Sequence, residues 1–298
     1  MATTAAAAPN AYTQQKEAIQ LELDRRVAAH RARFERSAMM QSATHQLGTA
    51  PLNLIAQGDS WFDYPLPIFA PSDVIANLKA MPLSPIILSL AHYGEAAEDM
   101  LGVTKLHRLL AQLNAGDDGS RYDAILFSGG GNDLAGDQFR LWLADAAVVH
   151  KDPAQGLQSA RVDAVLGIVK AAYQDLILAR DKVAQAQHRS IPIFVHSYDH
   201  AIPSGVGVCT VGPWLKPGLD DRGWDKETGR GIVKQLLGRF ADLLTELQGQ
   251  HADFIHVATQ GTLTAGQWAN ELHPTPDGFA AISAKFVAAL RGRFPHRI

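Results

Sequence analysis

From residue 51 onward, short apolar runs alternate with longer stretches in which apolar residues recur at helical spacing. The runs fall at 52–56 (LNLIA), 86–90 (IILSL), 124–127 (AILF), 191–195 (IPIFV) and 254–257 (FIHV). Each is rich in β-branched or aromatic residues and bounded by Gly, Pro or polar positions, as buried parallel strands are. Helical patterns lie between them at 95–113, 158–187, 231–250 and 276–293. This alternation predicts an α/β fold, a doubly wound sheet with helices on both faces. Ligands in such sheets bind beyond the carboxyl ends of the strands, and chemistry is expected there.

Ahead of this region, residues 12 to about 40 carry a charged helical pattern with a thin apolar stripe, in which Ile19, Leu21, Leu23 and Val27 are mixed with many charges and Phe34 lies further along. It reads either as a surface helix clamped on the domain or as a helix for a partner or second copy. The expected organisation is an N-terminal extension over 1–50 and one domain over 51–298, with insertions at about 134–158 and 203–230. The second insertion is rich in Gly, Pro and Trp, and a loop that long in a compact domain is often functional.

Composition narrows the picture. At 298 residues and 47% apolar, the chain can fill one large core and is unlike a disordered protein. The formal net charge is −3 and basic residues are scattered, so no nucleic-acid partner is expected. Cys209 is the only cysteine, which rules out an intrachain disulfide and a zinc–thiolate cluster built from Cys alone. The start, MATTAAAAPN, lacks the basic and long apolar regions of a secretory signal, and no later stretch reads as a membrane span. A soluble, cytoplasmic protein is expected, although one thiol does not argue against export. The oligomeric state is not legible.

Chemistry-bearing residues gather at the strand ends. Gly58-Asp59-Ser60 follows the first run and can present a hydroxyl at the sheet rim. Gly94 follows the second, where the lack of a Cβ lets a backbone N–H approach a ligand. Ser128-Gly-Gly-Gly-Asn132-Asp133 follows the third, and Asn132 can aim a side-chain N–H into the same space. Asn270-Glu271-Leu272-His273-Pro274 follows the fifth, with His273 at the approach to the last helix. Each feature alone is an ordinary turn or loop; the four together point to one site.

The arrangement resembles the SGNH (GDSL-like) hydrolase superfamily, through Ser60 in GDSWFDY, Gly94 in HYGEA, Asn132 in GGGNDL and His273 in ELHPTPDGF. The resemblance implies a flavodoxin-like three-layer α/β/α sandwich on a five-stranded parallel sheet. It implies hydrolysis of esters, thioesters or O-acyl sugars, with Ser60 as nucleophile and His273 as base. The backbone N–H groups of Ser60 and Gly94 and the amide of Asn132 would form the oxyanion hole. No metal and no cofactor is required.

One position departs from the family pattern, which has an aspartate three residues before the histidine. Residue 270 is Asn, whose oxygen can accept the Nδ1 proton but cannot offset the charge that develops on the ring. Glu271 is the first candidate for the missing carboxylate, Asp199 the second and a main-chain carbonyl the third. Glu271 also has a plain alternative role, as a helix-entry carboxylate holding backbone N–H groups.

For the substrate pocket, Asp63, Tyr64 and His92 are candidates near the nucleophile, and Trp214 and Trp224 of the second insertion offer flat surfaces. That insertion also carries Lys216, Asp220, Asp221, Arg222 and Asp225, which points to small or polar esters as the small-molecule substrate. A non-catalytic acyl- or carbohydrate-binding module on the same fold, and an acyltransferase, are the alternatives.

Overall fold

The computed structural model describes residues 11–44, 50–65, 71–115, 121–208 and 211–298. Cys209 and the first ten residues lie outside the described residues. The chain divides into two compact units, Met1–Ala50 and Pro51–Ile298. In the first, helix α1 (Ala11–Thr44) covers the charged segment and runs past it at both ends. Along it, Arg26 Nε pairs with Glu22 at 3.1 Å, one turn apart.

The second unit runs β1 (Asn53–Gly58), α2 (Val74–Lys79), β2 (Ile86–Ser89), α3 (Ala97–Met100), α4 (Val103–Asn114), β3 (Ala124–Ser128), α5 (Gly131–Leu134) and α6 (Phe139–Trp142). It continues through α7 (Ser159–Ala186), β4 (Ile193–His196), α8 (Lys216–Asp221), α9 (Lys226–Gln250), β5 (Phe254–Val257) and α10 (Pro276–Arg293). All five strands pair in parallel, in the order β2-β1-β3-β4-β5. The α/β reading therefore holds.

Ring contacts assign the layers. Tyr173 of α7 meets Phe127 of β3 at 5.2 Å and Phe254 of β5 at 5.9 Å, while His196 of β4 meets Phe286 of α10 at 5.6 Å. Helices α4, α7 and α9 pack together on the first of these faces, and α2 packs with α10 on the other. The three central strands are buried on both faces, which is why their sequences do not alternate apolar with polar.

Differences from the sequence expectation have local causes. Strand β1 extends to Gly58 because Gln57 and Gly58 find partners in Phe127 and Ser128. Strand β4 starts after Pro192, which has no N–H to contribute to a ladder. The segment expected as one helix over 95–113 breaks into α3 and α4 at Gly102, whose backbone is extended before α4 begins. Helix α9 begins at Lys226, before the expected 231, because Asp225 accepts the N–H groups of Glu227 and Thr228 at 3.0 Å. With α8, this makes part of the expected 203–230 loop helical. Helix α2 was not anticipated. Its signals were Asp73, which caps the Ala76 N–H at 2.7 Å, and the buried Val74, Ile75 and Leu78. No helix among the described residues is long and apolar enough to cross a membrane.

From β1 the chain passes to β2 at one edge, then returns to β3 on the other side of β1. The carboxyl ends of β1 and β3 thus flank a topological switch point, the usual crevice of such sheets.

Candidate active site

Ser60 and Asn132 both sit at that switch point. Ser60 lies on the turn after β1, where the Phe62 and Asp63 N–H groups bond to the Asp59 carbonyl at 3.0 Å. Asn132 lies in α5, directly after three glycines. Gly130 has φ +102, and a Cβ there would meet the Phe240 ring at 2.8 Å, so only glycine allows this tight approach. Asn132 Nδ2 donates to the Glu95 carbonyl at 2.8 Å, and Asp133 accepts the Ala97 N–H at 2.8 Å. These two bonds tie the loop after β3 to the loop after β2. Gly94 lies in that second loop with φ +79, and the His92 N–H anchors it to Gly58 O at 2.9 Å.

The Ser60 hydroxyl is 2.7 Å from His273 Nε2, although 213 positions separate them in the chain. Both side chains are largely buried. Burial pushes His273 down to about 4, so the ring is neutral near pH 7. On its far side, Nδ1 lies 2.9 Å from Asn270 Oδ1. The same oxygen accepts the backbone N–H groups of Leu272 and His273, both at 3.0 Å. A main-chain N–H can only donate, so the amide must present its oxygen here. That fixes the proton on Nδ1 and leaves Nε2 as acceptor for the Ser60 hydroxyl. Asn270 Nδ2 in turn points to the Tyr64 hydroxyl at 3.4 Å.

Glu271 does not orient His273, which corrects the first expectation for the missing acid. Its buried carboxylate accepts four N–H groups, from Gly205 at 2.9 Å, Trp214 and Leu215 at 2.6 Å and Lys216 at 3.0 Å. All four belong to the second insertion and the entry to α8, so Glu271 fastens that insertion to the histidine loop. Asp199 is likewise occupied, accepting the N–H groups of His200, Gly261 and Leu263 at 2.6 Å.

A cleft of about 540 Å3, open mouth included, contains Ser60, Asn132 and His273. Most of its wall is apolar, from Leu134, Phe139, Leu215, Val233, Leu236 and Leu237. Trp61 and Trp268 complete it beside the catalytic groups. None of the five residues first considered for the pocket lines it. Tyr64 and Trp214 pack on the His273 ring instead, at 4.8 and 5.7 Å. His92 stacks on Tyr93 at 4.5 Å, and Asp63 stays on the nucleophile turn. Trp224 is buried, its indole N–H donating to Ala144 O at 2.8 Å. Trp268 and the α9 leucines were not legible beforehand, because their roles depend on how α9 lies against the loops.

Behind the nucleophile turn is a second polar group, centred on Asp59 and Ser128. Asp59 accepts Trp61 N–H at 3.0 Å, Ser128 Oγ–H at 2.8 Å and Tyr198 O–H at 2.5 Å. His196 Nε2 lies 2.8 Å from Ser128 Oγ, while its Nδ1 accepts the Tyr198 N–H at 3.2 Å. Burial raises Asp59 to about 6 and lowers His196 to about 3. Among the described residues no group of three His, Cys, Asp or Glu side chains could hold a metal ion.

No protein-family model matches the chain. No curated protein matches it by sequence either. Solved structures do resemble it. The lipase Lip_vut3 from a goat rumen metagenome is 14% identical, with a TM-score of 0.49 over 80% of this chain and 97% of its own. An acetyl-xylooligosaccharide esterase from Geobacillus is 14% identical, with a TM-score of 0.47 over 81% and 94%. A member of the lipolytic G-D-S-L family from Veillonella parvula is 14% identical, with a TM-score of 0.42 over 82% and 98%. The likeness is to lipolytic hydrolases and esterases. At such identities and scores it carries no argument about chemistry, which rests on the residues themselves.

Proposed function

We propose that the protein is a serine ester hydrolase. The observation that carries this reading is the 2.7 Å contact between Ser60 Oγ and a neutral His273 whose proton is confined to Nδ1. Ser60 Oγ attacks the acyl carbon as its proton passes to His273 Nε2. The tetrahedral oxyanion faces the N–H groups of Ser60 and Gly94 and the second N–H of the Asn132 amide, whose first is held by Glu95. Collapse breaks the ester C–O bond, and Nε2 returns the proton to the departing alcohol. Water then attacks the acyl-serine, giving a proton to Nε2, and Ser60 leaves with that proton to complete the cycle.

Asn270 is the orienting group in this scheme. An amide in place of a carboxylate gives up the counter-charge for the imidazolium but keeps the tautomer, because two main-chain N–H groups prevent the amide from turning. The direct experiment is hydrolysis of p-nitrophenyl esters by the wild-type chain and by Ser60→Ala and His273→Ala. Turnover that vanishes in both folded variants supports the reading. Equal turnover by all three would refute it, and none by any would favour a binding module.

A further inference from the structure

We infer that the cleft beside Ser60 is an acyl pocket for alkyl chains, so that the preferred substrates are esters of straight-chain fatty acids rather than of acetate or of polar acids. This inference rests on the hydrolase reading above and names its substrate class.

The polar inventory of the cleft carries the argument. Its polar side chains are Asp59, Ser60, Trp61, Asn132, Tyr198, Asp199, His273 and, half-buried, Trp268. Ser60, Asn132 and His273 belong to the reaction itself. Asp59 is taken up by three donors, and the Tyr198 hydroxyl is one of them. Asp199 holds three backbone N–H groups, and the Trp61 indole N–H donates to Leu272 O at 3.0 Å. The donors among these four are all used, so none is left for an acyl carboxylate, and each of the two carboxylates already holds three protein donors. A polar group placed there would lose water without compensation, which is costly in an apolar pocket. An alkyl chain loses nothing polar against walls formed by Leu134, Phe139, Val233 and Leu236.

The charges that pointed to a polar substrate lie elsewhere. Asp220 and Asp221 pair with Lys216 and Arg140 at the surface, and Asp225 caps α9. From the same insertion it is apolar Leu215 that reaches the cleft, held by its N–H on the Glu271 carboxylate at 2.6 Å. The pocket takes the acyl side because that group stays on Ser60 through two steps and shields the intermediate. The alcohol must leave and water enter by an open path.

Two series of esters test this, one with p-nitrophenol fixed and acyl chains from two to twelve carbons, the other with acetate fixed and the alcohol lengthened. Expected is a rise in kcat/KM of about fourfold per added acyl methylene until the pocket is filled. Val233→Phe and, nearer the mouth, the half-buried Ala135→Phe should each move the optimum to shorter acyl chains. The ratio of eight-carbon to two-carbon kcat/KM should fall at least about tenfold. Rates highest for the acetyl ester, or a chain-length effect only in the alcohol, would overturn the inference while leaving the hydrolase intact. So would an optimum unmoved in a folded variant of either kind. Failure to turn over any ester, with Ser60 unreactive, would overturn both.

Discussion

Asn270 Oδ1 lies 2.9 Å from His273 Nδ1 and also accepts two main-chain N–H groups of the same loop. An amide so held does the geometric part of an acid's work without its charge. His273 therefore stays weakly basic, at about 4, because burial is not countered by a neighbouring anion.

Restoring the carboxylate tests that division of labour. In the wild type, kcat/KM needs neutral His273, so activity should persist as pH falls to about 5 and decline near 4. In Asn270→Asp, a new anion favours the imidazolium, and the acid limb should move upward by a pH unit or more. At pH 8 the rate should rise about tenfold or more, since a triad loses up to about 10⁴ in the opposite exchange. Asn270→Leu should lose activity without regaining it at any pH. A pH profile unchanged in Asn270→Asp would contradict the role given to this residue.

Glu271 should matter for stability and loop placement, not for the acid limb. Glu271→Gln replaces a carboxylate that accepts four N–H groups with an amide that accepts fewer. A loss of about 2–3 kcal/mol is expected, seen as a midpoint lower by roughly 4–10 °C in thermal unfolding. Its kcat/KM should fall at every pH alike. A shifted acid limb would reinstate Glu271 as the acid.

Asn132→Ala removes one oxyanion donor while leaving Ser60 and His273 in contact. Its kcat should drop by about 10²–10³ with KM changed far less. Steady-state kinetics on one ester suffices, and a loss confined to KM would move Asn132 from the transition state to ground-state binding.

His196 gives a signature in stability. Its folded value, about 3, lies below the ordinary 6.5, so the unfolded chain takes up the proton first. Stability from this residue is therefore present above about pH 6.5 and is lost as pH falls toward 3. His273 acts in the same direction between 6.5 and about 4, whereas Asp59, raised to about 6, acts in the opposite one. Comparing wild type with His196→Asn by urea unfolding cancels the shared groups. The stability gap between the two should narrow as pH falls from 7 to 5, by up to about 1.4 kcal/mol per pH unit. A gap that stays constant would mean that His196 is not held neutral.

What the sequence disclosed follows from the range of the interactions. The strands were legible because burial on both faces leaves continuous apolar runs, and Ser60, Gly94, Asn132 and His273 stood out because each follows such a run. The orienting bond was within reach too. Asn270 binds the N–H groups two and three positions on, a local turn that Asn forms readily. Glu271 could not be read this way, since its donors lie 55 to 66 positions distant. The apolar cleft was hidden for a similar reason. The second insertion looks polar in sequence, but charges of it pair at the surface, and of its described residues Leu215 is the one that reaches the cleft. Asp59, Ser128, His196 and Tyr198 meet only because β1, β3 and β4 are neighbours in the sheet.

The nucleophile itself is open to direct measurement. Incubated with a fluorophosphonate near pH 7.5, the full chain should gain the mass of a single phosphonyl adduct, mapped by peptide sequencing to Ser60. His273→Ala, which lacks the base, should gain it far more slowly. A folded wild-type chain that stays unlabelled, or carries the adduct at another residue, would contradict acyl transfer through Ser60.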